Sequence, residues 1–382
     1  MGFLDGVRVV DVTRLLPGGY CSMLLSDLGA EVIKVEQPGI GDYMRATPPT
    51  KGGKSPVHAT ANRNKRSIGI DLTKEDGRLI LGKLVKSADV FLEGYRPGVI
   101  ERLGFSYANV RALNPKITYC SISAFGQKSK YSRIPGHDIN FQALAGALAY
   151  PRRPSVPMIQ LSDFSSGTFA ALAIVASLAR KEREATFIDV PIVPSLFSWM
   201  MLPVSAYQAT GKLPSEGHSL ILGSDSYYNL FKTKDGKYMA VAAIEQEFWE
   251  NLVAAMGLPE LREKRFGARV ERRDVIRRLR LAFATKTRDE WTKILMFAET
   301  CATPVLTIEE ALGTDWAHDA RILVDVPGDG TVVNNPIVSV PRIRSSSYTP
   351  APDLGEHTPD IMAELGYSKA EIRRLRAASV IQ

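Results

Sequence analysis

The chain has 382 residues, 45% of them hydrophobic and 23% charged, which is too long for one ordinary core and typical of soluble globular proteins, so two domains are expected. Its formal net charge of +7 suits a phosphorylated small molecule, a membrane surface or nucleic acid. Nucleic acid is set aside because there is no zinc-finger spacing and no RNA-recognition motif, and a membrane span because no run of about 18 uninterrupted apolar residues occurs.

Residues 6–36 read strand–helix–strand. Val7 to Val12 is a β-branched run, "PGGYCSMLLSDLGA" has apolar residues at helical spacing and ends near Gly29, and Glu31 to Glu36 is a second strand. The pattern continues with Ser67 to Asp71 extended, Lys74 to Ser87 helical, and strands at Val90 to Leu92 and Ile117 to Ser123. Such alternation calls for a parallel sheet. Helices are expected to open at His137 or Asp138 and at Asp163. Thr186 to Val190 reads as a strand and Pro191 to Thr210 as mostly helical.

The texture then changes. "YYNLFKTKDGKYMAVAAI" reads as a hairpin around Asp235-Gly236, followed by helices from Gln246 to Met256 and on to about Phe297. The arginines at 272, 273, 277, 278 and 280 are mixed with acids there and read as a solvated face. Three segments follow: 1–210 as the first part of a large α/β domain, 211–300 as a small α+β domain, and 301–382 as a return segment completing the large one. The N-terminus lacks a basic region, apolar stretch and cleavage site in sequence. With only Cys21, Cys120 and Cys301, it points to a reducing, cytoplasmic setting without a disulfide framework or zinc cluster.

Three helix starts carry a titratable group: His137, Asp163 and Glu245. Each has a structural account, as a packed histidine, an N-cap and a helix-start acid, and spacing alone does not say whether they meet. Gly18 and Gly19 enter the first helix without a G-x-G-x-x-G fingerprint, and Pro17 is an early helix residue. Glu36 stands where a ribose-binding acid would stand, but that pattern is too incomplete to indicate a nicotinamide cofactor. Free N–H groups at that helix start suit an anion.

"GHDINFQALAG", together with "LEGYRPGVIERLG", "NRNKRSIGIDL", "DGKYMAVAAIEQEFW" and "TCATPVL", resembles the alpha-methylacyl-CoA racemases and, more widely, the CaiB/BaiF-like family III CoA-transferases. The similarity runs in order from about residue 5 to 345. In such racemases the G-H-D-I-N histidine, His137 here, and a later aspartate, Asp163, form an acid/base pair, and a glutamate matching Glu245 bonds the histidine. In the transferases the aspartate matching Asp163 is the nucleophile, and tyrosine usually replaces the histidine. His137 therefore points to the racemase, while "SDFSSG" after the aspartate is closer to the transferases, and Gln246 replaces a family proline.

The resemblance implies a racemase or epimerase inverting the α-carbon of 2-methylacyl-CoA thioesters through an enolate. A base and an acid on opposite faces, tuned near working pH, can do this. The alternatives are a family III CoA-transferase working through an Asp163 acyl anhydride and, from another class, a non-catalytic nucleotide-binding module. No tightly bound cofactor or metal is implied, and coenzyme A enters as part of the acyl-CoA substrate. By resemblance the CoA region includes Leu16, Pro17, Arg63, Ile70, Leu72, Lys74, Gly94, Tyr95, Arg96 and Arg102; arginine suits the phosphates. Met200, Met201, Met239, Tyr227 and Tyr228 suit either an acyl pocket or a core stripe. The implied fold is a large doubly wound, Rossmann-like domain built from both chain ends plus a small α+β domain, in an interlocked homodimer.

Overall fold

The protein is described from a computed structural model, which covers residues 2–149, 155–212, 225–266, 269–335 and 348–382. The chain divides into two compact units. The larger comprises residues up to Ala149, Ser155–Trp199 and Asp315–Gln382, and Met200–Thr314 lies in the smaller.

The larger unit is built on β1 (Arg8–Asp11), α1 (Leu16–Asp27), β2 (Glu31–Glu36), α2 (Pro56–Asn62), β3 (Lys65–Gly69), α3 (Glu75–Lys86), β4 (Val90–Glu93), α4 (Val99–Arg102), α5 (Tyr107–Leu113), β5 (Thr118–Ser123), α6 (Asp138–Leu144), α7 (Leu161–Leu178), β6 (Thr186–Pro191) and α8 (Ile192–Trp199). Its six strands are parallel in the order β3-β2-β1-β4-β5-β6. β4 and β5 are buried along their whole length, as strands covered by helices on both faces must be. The order reverses between β1 and β4, opening a crevice at the carboxyl ends of those strands where ligands of such sheets bind. This is the α/β, Rossmann-like arrangement expected from the sequence.

α7 is long and apolar enough to cross a bilayer by length and composition, although Asp163 interrupts its apolar run. It packs instead on α1, α8, β5 and β6. A Cβ on Gly167 would come within 2.7 Å of the Pro17 carbonyl oxygen, so glycine is what lets α7 lie this close to the start of α1.

The smaller unit contains α9 (Met201–Thr210), β7 (Tyr228–Lys232), β8 (Tyr238–Ala242), α10 (Gln246–Ala255), α11 (Arg269–Phe283), α12 (Arg288–Leu295), β9 (Ala302–Pro304) and α13 (Ile308–Leu312). The hairpin forms with Gly236 at φ 80°. β9 pairs with β8, so residues 301–314, read from sequence as part of the return, belong to the small unit. Its core is aromatic: Phe231 stacks on Phe283 at 4.9 Å, and the Trp291 indole donates to the Phe283 carbonyl at 2.9 Å. Tyr227 and Met239 are fully buried in this core, which makes them packing residues rather than pocket lining; Met201 is exposed.

The return begins with α14 (Asp315–Asp319), continues through the hairpin of β10 (Leu323–Val326) and β11 (Gly330–Val333), and ends in α15 (Thr358–Glu364) and α16 (Lys369–Ala377). The last residues close the β3 edge: Asp71 N–H donates to the Val380 carbonyl, Gln382 N–H to Gly69, and Ile381 bridges Ile70.

Candidate functional site

The crevice begins at the end of β1. There the chain turns through Thr13, Arg14 and Leu15 into α1, and Leu15 takes φ 66°, ψ −169°, a conformation nearly reserved for glycine that costs about 1–3 kcal/mol. A buried charge cluster imposes it. Asp11 accepts from the Thr13 N–H at 2.8 Å and from the Thr13 and Ser22 hydroxyls at 2.6 Å each. Lys34 donates to the Thr13 carbonyl at 3.1 Å and pairs with Asp42 at 2.9 Å. Asp42 in turn accepts the Leu15 N–H at 3.1 Å.

Lys34 and Asp42 have side chains only 1% and 0% exposed. Burial works against both charges. Asp11, Asp42 and Glu36 nevertheless raise the Lys34 pKa, and Lys34 with the Met44 and Leu15 N–H groups lowers Asp42 to about 2.

α6 and α7 supply a second wall. His137 is the backbone N-cap of α6, its N–H donating to Asn140 Oδ1 at 3.0 Å. α7 starts at Leu161, two residues before Asp163, so Asp163 is not the N-cap that its position suggests. Asp138 does that work across the gap between the helices. Its Oδ1 accepts from the Ser162 hydroxyl, from Ser162 N–H at 2.9 Å and from Asp163 N–H at 3.3 Å, while Oδ2 accepts from Gln142 at 2.6 Å. With those donors bound to its neighbour, the Asp163 carboxyl accepts no hydrogen bond among the described residues. Burial, and then the charge of Asp138, push its pKa up to about 7.

A cavity of about 1020 Å³ lies between these walls, wholly within the larger unit. Of the sequence-derived site residues, Leu16, Pro17, Gly94, Tyr95, Arg96, His137 and Asp163 all line it. Ser123 lines it too, its buried hydroxyl having no partner among the described residues, as in a site that expects a ligand group. Glu93, the last residue of β4 and next to Gly94, forms no ion pair among the described residues. Burial carries its pKa to about 7, although the Ser121 hydroxyl and Tyr95 N–H oppose the rise.

Other expected residues lie elsewhere. Arg63 is fully buried, its guanidinium bound to Asp27 at 3.1 and 2.5 Å and to the Thr60 and Val333 carbonyls, so it is withdrawn as a phosphate ligand. The side chains of Ile70 and Leu72 belong to the hydrophobic core. Lys74 donates to the Ala378 and Ser379 carbonyls at the end of α16, and Arg102 is exposed and outside the cavity lining. Glu36 is held by both oxygens to Arg45 and by the Ser67 hydroxyl; it is not a free ribose acid. Glu245 is the exposed N-cap of α10 in the smaller unit.

Sequence reasoning passed over Asp138, Glu93, Arg14 and the Lys34–Asp42 pair. One signal was present: a lysine in the centre of the apolar strand "EVIKVE" must find buried partners. Among the described residues no three His, Cys, Asp or Glu side chains are grouped to hold a metal ion.

An uncommitted carboxyl with a pKa near neutrality, in a cleft that an imidazole also lines, can act as nucleophile or as acid and base. Comparison with known proteins narrows the chemistry. Residues 4–358 match the model of CoA-transferase family III. The chain is 31% identical to human alpha-methylacyl-CoA racemase, covering 99% of this chain and 97% of the relative. It is 32% identical to human succinyl-CoA:glutarate CoA-transferase, covering 99% and 90%. A CaiB/BaiF family protein from Brucella suis has the same fold, with a TM-score of 0.80 and 27% identity over 95% of this chain and 99% of that one. The crevice at the β1/β4 reversal, with its free aspartate, is thus set in a chain that belongs to the CaiB/BaiF-like family III CoA-transferases, whose chemistry is the handling of CoA esters.

Proposed function

We propose that this protein is a CoA-transferase that moves CoA between carboxylic acids, with Asp163 as the covalent carboxylate. The observation that carries this reading is the Asp163 carboxyl itself, open to the cleft and bonded to nothing among the described residues. Its ionised oxygen attacks the thioester carbonyl carbon, the C–S bond breaks, and the CoA thiolate leaves a mixed aspartyl anhydride. The thiolate then attacks the aspartyl carbonyl, releasing the donor acid as its carboxylate and leaving an aspartyl-CoA thioester. An acceptor carboxylate reverses the two steps. The raised pKa makes the carboxylate more basic and more nucleophilic while leaving a sizeable ionised fraction at neutral pH. Leu16, Pro17, Gly94, Tyr95 and Arg96 are assigned to CoA, with Arg96 on a phosphate.

A second reading has a specific observation behind it: His137 lines the same cleft as Asp163, the pair a racemase needs for proton transfer on two faces of an α-carbon. The homodimer, and Glu245 as a partner for His137, belong to this proposal as well.

Trapping separates the two readings. During turnover with an acyl-CoA and an acceptor acid, hydroxylamine is expected to convert Asp163 to its hydroxamate, read by peptide mass spectrometry. His137→Ala is expected to retain CoA transfer within about tenfold. Deuterium uptake at the acyl α-carbon in heavy water, abolished in His137→Ala and unaccompanied by CoA exchange between acids, would overturn the transferase in favour of the racemase.

A further inference from the structure

Arg14 stands in the middle of the strained turn, and neither the fold nor the assigned chemistry uses it. Its backbone is pinned on both sides: the Thr13 carbonyl is held by Lys34, and the Leu15 N–H by Asp42. Its guanidinium carbon lies 5.3 Å from the centre of the Tyr43 ring and 5.8 Å from that of Tyr95, and Nη1 donates to the Tyr43 hydroxyl at 3.1 Å. Stacking of this kind orients the planar fork while leaving N–H groups free.

Arg45, Arg63, Arg66 and Arg288 are all bound by carboxylates. Among the described residues no carboxylate pairs with Arg14, which is half-buried and lines the cleft with Tyr43, Tyr95 and Arg96. A cation held still, partly desolvated and left without an anion is arranged for one that arrives with the ligand.

We infer that Arg14 is an oxyanion anchor of this cleft, forming a charge-assisted fork on a phosphate or carboxylate of the substrate. The inference rests on the cleft being the acyl-CoA site. Within that reading the oxyanion has two sources: a phosphate of CoA, or a second carboxylate at the far end of the acyl group.

Calorimetric binding to the full chain, wild type and Arg14→Gln, distinguishes them. The probes are CoA, dephospho-CoA, pantetheine, glutaryl-CoA and pentanoyl-CoA. The expected result is a loss of tenfold or more in Arg14→Gln. A loss for CoA and not for pantetheine identifies a phosphate, and dephospho-CoA shows whether it is the 3′-phosphate. A loss for glutaryl-CoA exceeding that for pentanoyl-CoA identifies a carboxylate. Binding of all five probes within twofold of wild type would overturn the anchor while leaving the acyl-CoA reading intact. Wild-type protein that binds none of them would overturn both. Should Arg14→Gln fail to fold, Arg14→Lys keeps the charge but not the stacked fork and is read the same way, with a loss of at least threefold expected and wild-type affinity again overturning the anchor.

Discussion

Two groups of carboxylates border the same parallel sheet, one paired with cations and one not. Around β1 and β2, Asp11 and Asp42 surround Lys34, while Glu36 is gripped by Arg45. For Glu36 and Asp42 burial alone would raise the carboxyl, yet their cations reverse the sign and both are lowered. Along β4 and α7, Glu93 and Asp163 form no ion pair among the described residues, and both rise to about 7. Depth does not explain it, since the lowered Asp42 and Glu36 side chains are 0% and 2% exposed while Asp163 is only half-buried. The partner does. A matched cation turns a buried acid into a fixed charge that holds a backbone turn, and its omission leaves an acid that titrates where chemistry is done.

Breaking the paired group should give the largest effect. Lys34→Met leaves Asp42 buried without its cation and is expected to cost about 3–5 kcal/mol in chemical denaturation, as removal of one member of a buried pair does. A loss below about 1 kcal/mol would mean that Lys34 is not what holds the turn. The pH dependence of the pair follows from its sign. With Asp42 lowered from an ordinary value of about 3.9 to about 2, its contribution to stability is complete above the ordinary value. It disappears as pH falls through the folded value near 2.

The unpaired group sharpens the contrast through activity. For the transferase, kcat/KM in the free enzyme should rise with pH through about 7 and then level off as Asp163 ionises. Asp138→Asn removes the neighbouring charge and should move that break to lower pH. It also weakens the cap on α7, costing roughly 1 kcal/mol. A profile flat from pH 5 to 9 in wild type would contradict the assignment of Asp163.

The smallest expected effect is a gain. Asp163 has a raised folded pKa, so its carboxyl is neutral and without penalty below its ordinary range, and the folded state loses stability as pH rises through about 7. Asp163→Asn should therefore raise the Tm by about 2 °C or more at pH 8 and by less at pH 5, in paired calorimetric scans.

Much of this was legible in the chain. β2 has the bounds that "EVIKVE" implies, and β1, β4, β5 and β6 lie within a residue or two of the runs that mark them, because short runs rich in β-branched residues announce strands. His137 and Asp163 both line the cleft, a placement that spacing alone did not reveal. What escaped reading was reciprocal. Asp138 caps the helix that carries Asp163, a bond spanning 24 residues, and no local pattern reports that a cap comes from another helix. Arg63 looked like a phosphate ligand because a buried guanidinium and a free one have the same letter; only Asp27 tells them apart. The small unit extended to Thr314 because β9 adds to its hairpin, a pairing that three residues hardly announce.

The closure of the β3 edge by Val380–Gln382 bears on the order of biosynthesis. The smaller unit has the whole of Met200–Thr314 in hand while the larger one, begun first, still awaits α15, α16 and the final residues. Until these emerge from the ribosome, the flank of β3 that they cover stays open to other strands, the hazard of any uncovered sheet edge. The sheet begun at β1 is thus covered only after the smaller unit has been made.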